Sequence, residues 1–133
     1  IALNISDGKP AKFRLKVLIV DDSSVCRQIV RKSLTSLGYL CVEAEDGETC
    51  LQMVEYPPTS PFNAIVMDNS MKRLDGPDCA TQLREKGFNQ PIIGLTNFFS
   101  EDEQRVYMQS GADEVLLKPA SKADLHSALQ KHL

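Results

Sequence analysis

The sequence predicts an α/β domain, a doubly wound five-stranded parallel sheet with helices on both faces. Three observations carry that prediction. Five times along the chain a short apolar run of strand length gives way to turn residues and then to a stretch with helical spacing. Several of the runs are apolar on both faces, as a strand buried beneath helices on either side requires, whereas a sheet with one wet face would alternate. The connections are short, which leaves right-handed crossovers as the way to join parallel neighbours.

Each element has local support. Residues 1–15 carry Ser6-Asp7-Gly8-Lys9-Pro10 and no sustained period, and are expected to be an N-terminal linker or extension, with the domain proper at 16–133. The start at Ile1, without methionine, is expected of a module cut from a longer polypeptide. Strands are predicted at 17–20, 40–44, 64–67, 92–95 and 115–117. Ser23 or Ser24 can cap the first helix, whose Val25, Ile29, Val30, Leu34 and Leu37 form one apolar stripe ending at Gly38. A shorter helix over 48–55 is stopped by Pro57-Pro58. Pro77 suits the first turn of the third helix, and Gly87 ends it. Ser100-Glu101-Asp102-Glu103 reads as a capping box for the fourth, closed at Gly111, and Ser121-Lys122-Ala123-Asp124 resembles one for the fifth.

Composition narrows the function classes. The 133 residues suit one core, and 42% hydrophobic with 25% charged residues is ordinary for a globular domain. Fifteen basic against eighteen acidic residues leave a formal charge of -3, so nothing favours nucleic acid or an anionic membrane as a partner. No apolar stretch approaches the roughly 20 residues of a membrane span, and the expected location is cytoplasmic. Cys26, Cys41, Cys50 and Cys79 show no paired spacing and are expected to be buried reduced thiols. His126 and His132 sit on a C-terminal helix without acidic or cysteine neighbours that would make a ligand set and are expected on the solvated surface.

In doubly wound sheets ligands bind beyond the carboxyl ends of the strands. The first predicted strand runs into Asp21-Asp22, the third into Asp68, the fourth into Thr96 and the fifth into Lys118-Pro119. An Asp after a strand also serves as a turn former or helix cap, but these residues at four successive strand ends form a set. Clustered carboxylates repel unless a cation sits among them. Lys118 offers one charge, and oxygen ligands without His or Cys favour Mg²⁺, which is held by one or two carboxylates together with a phosphoryl oxygen.

With the phrases VLIVDD, MDNSM..LDG, GLT and GADEVLLKP, the chain from Lys16 to Leu133 resembles the receiver domain of response regulators and hybrid histidine kinases. The resemblance implies the flavodoxin-like strand order 2-1-3-4-5. It implies Asp68 as phosphoacceptor, Asp21, Asp22, Asp68 and the Ser70 backbone carbonyl as Mg²⁺ ligands, Thr96 as switch hydroxyl, Lys118 as phosphoryl-binding cation and a cis Lys118-Pro119 bond. The implied function is that of a phosphorelay module accepting a phosphoryl group from a phosphohistidine, its partner a histidine kinase or histidine phosphotransfer protein. Such a module promotes its own phosphorylation and dephosphorylation without being a turnover enzyme. MDNSM and GADEVLLKP look most like the terminal receiver of a hybrid histidine kinase.

Three positions depart from the family pattern. Lys72 stands where proline is usual, Asn97 replaces a small residue after the switch hydroxyl, and Val115 takes the place of the aromatic that turns inward on activation. Asn97 and Phe98 are expected to govern access and phosphoryl lifetime. A phosphohydrolase would need a carboxylate at Ser70 as general acid, and a flavin domain would not place Asp21-Asp22 in its phosphate loop. The remaining alternative is a receiver-like interaction module that is not phosphorylated in use.

Overall fold

The computed structural model describes residues 14–54, 61–97 and 100–133. In chain order the elements are β1 (Lys16–Val20), α1 (Ser24–Ser36), β2 (Leu40–Ala44), α2 (Gly47–Met53), β3 (Ala64–Asp68), α3 (Gly76–Glu85), β4 (Ile92–Thr96), α4 (Glu101–Gln109), β5 (Glu114–Leu117) and α5 (Lys122–His132). The strands are all parallel, in the order β2-β1-β3-β4-β5. The doubly wound architecture and its strand order are as expected. No described helix is long and apolar enough to cross a membrane.

Strand pleating sorts the core into two layers, because successive side chains leave a strand on opposite faces. Val17, Ile19, Ala64, Val66, Ile93 and Leu95 pack against α1 and α5 through Val30, Leu34, Leu125 and Leu129. Leu18, Val20, Ile65, Met67 and Ile92 face the other way, onto Cys50, Leu83 and Tyr107 of α2, α3 and α4. The apolar runs are apolar throughout because both faces are covered.

Side-chain oxygens satisfy the first amides of every helix. Ser23 accepts from the Cys26 amide, Ser100 from that of Glu103, and Ser121 with Asp124 forms the full reciprocal capping box. Asp46 and Asp75 cap α2 and α3 by accepting from the Thr49 and Asp78 amides; sequence reading passed over both. Gly38, Gly87 and Gly111 take positive φ after their helices, as expected. The predicted end of α2, with Pro57-Pro58, lies outside the described residues.

Several expectations need correction. The α1 stripe is narrower than predicted: Val30 and Leu34 are buried and Leu37 packs against them, but Val25 and Ile29 are 62% and 53% exposed. At about 100° per residue, Ile29 lies a quarter turn or more from Val30, and Val25 further still. Only Cys50 and Cys79 are fully buried, while Cys26 and Cys41 are half-buried; all four are free thiols. A hydrogen bond with Cys79 and then burial push the Cys50 thiol well up, which keeps it protonated and inert. The histidines are half-buried, and His132 Nε2 lies 2.9 Å from Glu114 Oε1. That partner comes from β5, out of reach of any local pattern.

Candidate functional site

Four strand ends converge where the sheet order reverses. Asp21 follows β1, held by its own amide donating to the Ala44 carbonyl at 3.2 Å. Its carboxylate accepts from the Ser23 amide at 2.9 Å, and its carbonyl accepts from the Arg27 guanidinium at 2.6 Å. Arg27 is itself anchored by Glu43 of β2 at 2.9 Å. Asp68 closes β3, and Thr96 closes β4, its carbonyl accepting from the Lys118 amide at 2.8 Å. The Lys118-Pro119 bond is cis, as the resemblance implied.

Asp21, Asp68 and Thr96 are buried, whereas Asp22 is exposed at the rim. Carboxylate oxygens of Asp21, Asp22 and Asp68 lie within 4.8 Å of one another. Lys118 Nζ reaches into this group, 2.7 Å from Asp21 Oδ2 and 3.1 Å from Asp68 Oδ1. One ammonium does not balance three carboxylates. Burial and then the Asp21 charge therefore hold the Asp68 carboxyl above its ordinary value, against the opposing pull of Lys118, with Asp22 adding to the rise. Burial would lower the Lys118 ammonium, but its hydrogen bond to Asp21 and the charge of Asp68 carry it above the ordinary lysine value.

The loop after Asp68 is tied at both ends. The Asn69 amide donates to the Leu95 carbonyl at 2.7 Å, and the Gly76 amide donates to the Asn69 carbonyl at 2.8 Å. Between them Ser70 and Lys72 are exposed. Arg73 reaches across to α2, 3.1 Å from Asp46 Oδ2 and 3.5 Å from Glu48 Oε2. Arg73 and Glu48 are exposed, and pairs of this kind contribute little each. Leu74 turns through φ 77, a conformation rare outside glycine.

Of the predicted set, the structure brings together the carboxylates of Asp21, Asp22 and Asp68 and the ammonium of Lys118, with Thr96 joined to Lys118 through its backbone. Asn97 is exposed and lines a hollow with Lys118, while Phe98 lies outside the described residues. Sequence reading missed Arg27, whose guanidinium braces the Asp21 carbonyl, and Tyr107, whose hydroxyl donates to the Met67 carbonyl at 2.8 Å. The second joins residues 40 apart in the chain, and the first, though only six apart, depends on Arg27 also being anchored by Glu43 of β2; periodicity shows neither.

The comparisons agree with this geometry. The chain spans 21% of the transcription factor SKN7 of Candida albicans, to which it is 32% identical over 90% of its own length. It is 36% identical to the response regulator MprA of Mycobacterium ulcerans over 84% of this chain and 47% of that protein. The solved structure of the Vibrio cholerae chemotaxis protein CheY4 superposes with a TM-score of 0.81 at 30% identity, covering 90% of this chain and 99% of that one. Residues 17–130 match the family described as the response regulator receiver domain. A 2-1-3-4-5 sheet whose strand ends gather three carboxylates and a lysine, matched along nearly its whole length, places this chain in the response regulator receiver domain family.

Proposed function

We propose that Asp68 is the phosphoacceptor of a phosphorelay, taking its phosphoryl group from a phosphohistidine with Mg²⁺ in the acidic pocket. The observation that carries this reading is the grouping of the Asp21, Asp22 and Asp68 carboxylates, with the Lys118 ammonium paired to Asp21 and Asp68. An all-oxygen donor set that one ammonium leaves unbalanced suits a hard divalent cation. Asp21, Asp22, Asp68 and the Ser70 carbonyl would hold it. When bound, the cation supplies positive charge to the phosphoryl oxygens.

The protein's own part follows from its side chains. The buried Asp68 carboxylate attacks phosphorus, the O–P bond forms as the N–P bond breaks, and the electron pair returns to the departing imidazole. Lys118 reaches the oxygens of the transferred group from its place between Asp21 and Asp68, and Thr96 offers its hydroxyl from the end of β4. Incubation with acetyl phosphate or phosphoramidate and Mg²⁺ should add one phosphoryl group by intact mass. Asp68→Asn should add none, and an adduct surviving in that variant sinks the assignment.

Millimolar Mg²⁺ should raise the melting temperature, the linkage being worth about 2.7 kcal/mol at a hundredfold excess over Kd. Asp68→Asn should blunt the rise. Because the proton competes for a carboxylate whose value is raised, the Mg²⁺ effect should fade on acidification at a higher pH than an ordinary aspartate would give. A melting curve indifferent to Mg²⁺ counts against the pocket.

The donor, a histidine kinase or histidine phosphotransfer protein, fits the face beside Lys118. There the exposed Ile29 of α1 borders an apolar hollow of about 160 Å³ whose lining includes Leu95, Asn97 and Pro119. In this reading 1–15 is a linker or extension, 16–133 the receiver, and a hybrid histidine kinase in the cytoplasm the parent protein. Full-length sequence with a kinase core tests that parentage. Asn97 and Phe98 are assigned to water access, Phe98 as a bulky apolar residue that slows hydrolysis. Phosphoprotein decay should therefore quicken in Phe98→Ala and Asn97→Ala; decay at the wild-type rate removes them from that role.

A further inference from the structure

Tyr107 is the only buried residue of α4. Its neighbours Val106 and Met108 are 49% and 42% exposed, so this short helix is anchored to the core through one ring. Two glycines make room for that ring. A Cβ on Gly94, in the middle of β4, would stand 2.6 Å from Tyr107 Cε2, and a Cβ on Gly76, at the start of α3, would collide with the phenol oxygen. The slot therefore exists only because two side chains are missing.

At its end the hydroxyl donates to the Met67 carbonyl at 2.8 Å, and a buried phenol needs such an acceptor. That carbonyl belongs to the peptide whose amide nitrogen is that of Asp68, so the bond restrains the plane from which Asp68 projects. The position on β5 where the family usually carries its switching aromatic holds Val115, which is packed in the same core layer as Tyr107. Of the aromatics in this layer, which also holds Phe62 and Phe88, Tyr107 is the one that comes from α4.

We propose that Tyr107 is a positioning residue that couples the phosphoacceptor to α4: its hydroxyl ties the helix to the Met67–Asp68 peptide, so a change at Asp68 moves α4 and its exposed apolar residues. The proposal rests on Asp68 as the phosphoacceptor. Burial pushes the phenol well up, so the group stays a donor throughout the physiological range. Helices held by few buried contacts are the ones that shift in signalling transitions.

The test is amide and carbonyl NMR of the whole chain titrated with beryllofluoride and Mg²⁺, alongside intact mass after acetyl phosphate. In wild type the amides of residues 101–111 and the Met67 carbonyl carbon should shift together. Tyr107→Phe keeps the ring in its slot and removes only the hydroxyl. It should still gain the phosphoryl mass and still shift at Asp21, Asp68 and Lys118, while the shifts over 101–111 fall at least twofold. A purely structural role would leave those shifts at wild-type size in Tyr107→Phe, and that result overturns the coupling. So does a wild-type Met67 carbonyl that stays still, a measurement that needs no variant to fold. A wild type that gains no phosphoryl mass fails at the phosphoacceptor assignment instead, which separates the two failures.

Discussion

Lys118→Met should destabilise the apo domain by about 3–5 kcal/mol, the range for leaving buried charges without their partner. The lysine stands 2.7 Å from one carboxylate and 3.1 Å from another, with all three side chains nearly enclosed. Methionine keeps the stem and its packing but leaves Asp21 and Asp68 facing each other without a cation. The loss should be greatest near neutral pH. Asp68 titrates above its ordinary value, so as pH falls through that value the repulsion is relieved and the variant recovers relative to wild type. On the alkaline side the lysine's contribution is full below the ordinary lysine value and disappears as pH rises through its raised folded value. Urea unfolding of Lys118→Met, Asp68→Asn and the double variant measures this. Asp68→Asn should restore part of what Lys118→Met removes, and a strictly additive cycle would show that the ammonium does not offset that repulsion.

Tyr107→Ala should cost about 3–5 kcal/mol, in line with other large buried aromatics, since it empties the slot and leaves the Met67 carbonyl without the phenol. Gly94→Ala should cost about 1–3 kcal/mol for the opposite reason, overpacking, because its methyl would sit 2.6 to 2.9 Å from three ring carbons. Together the two should cost less than their sum by at least about 1 kcal/mol, as expected of residues in direct contact. Once the ring is gone, a methyl on β4 fills space instead of colliding. Urea midpoints and slopes for the four proteins decide it. Simple additivity would mean that ring and glycine do not share the slot.

The parts of this fold legible in the sequence were those written locally. Both-face apolar runs mark parallel strands, Ser23 and Ser121 mark helix starts, and Gly38, Gly87 and Gly111 mark helix ends. Asp21, Asp68, Thr96 and Lys118 were legible because a doubly wound sheet brings its strand ends together, so chain position already implied proximity. Contacts between distant segments left no such trace. Glu114 beside His132 and Glu43 beside Arg27 depend on how helices meet strands. Tyr107 stands between Val106 and Met108 in α4, and three consecutive apolar residues on a helix do not show which of them turns inward. One sign was available: Gly94 interrupts an otherwise apolar strand, and glycine inside a strand marks a close approach by something else.

The alternation of strand side chains between two core layers has a consequence for how this chain can change length. Val66 belongs with α1 and α5, while its neighbour Met67 belongs with α2, α3 and α4. Deleting a single residue from β3 would send each subsequent side chain into the wrong layer. Insertions and deletions are therefore excluded from the strands and confined to the connections. Substitutions face a milder constraint, because volume lost in one layer need only be regained within that layer. The two layers can drift in composition independently, provided the strand register between them is kept.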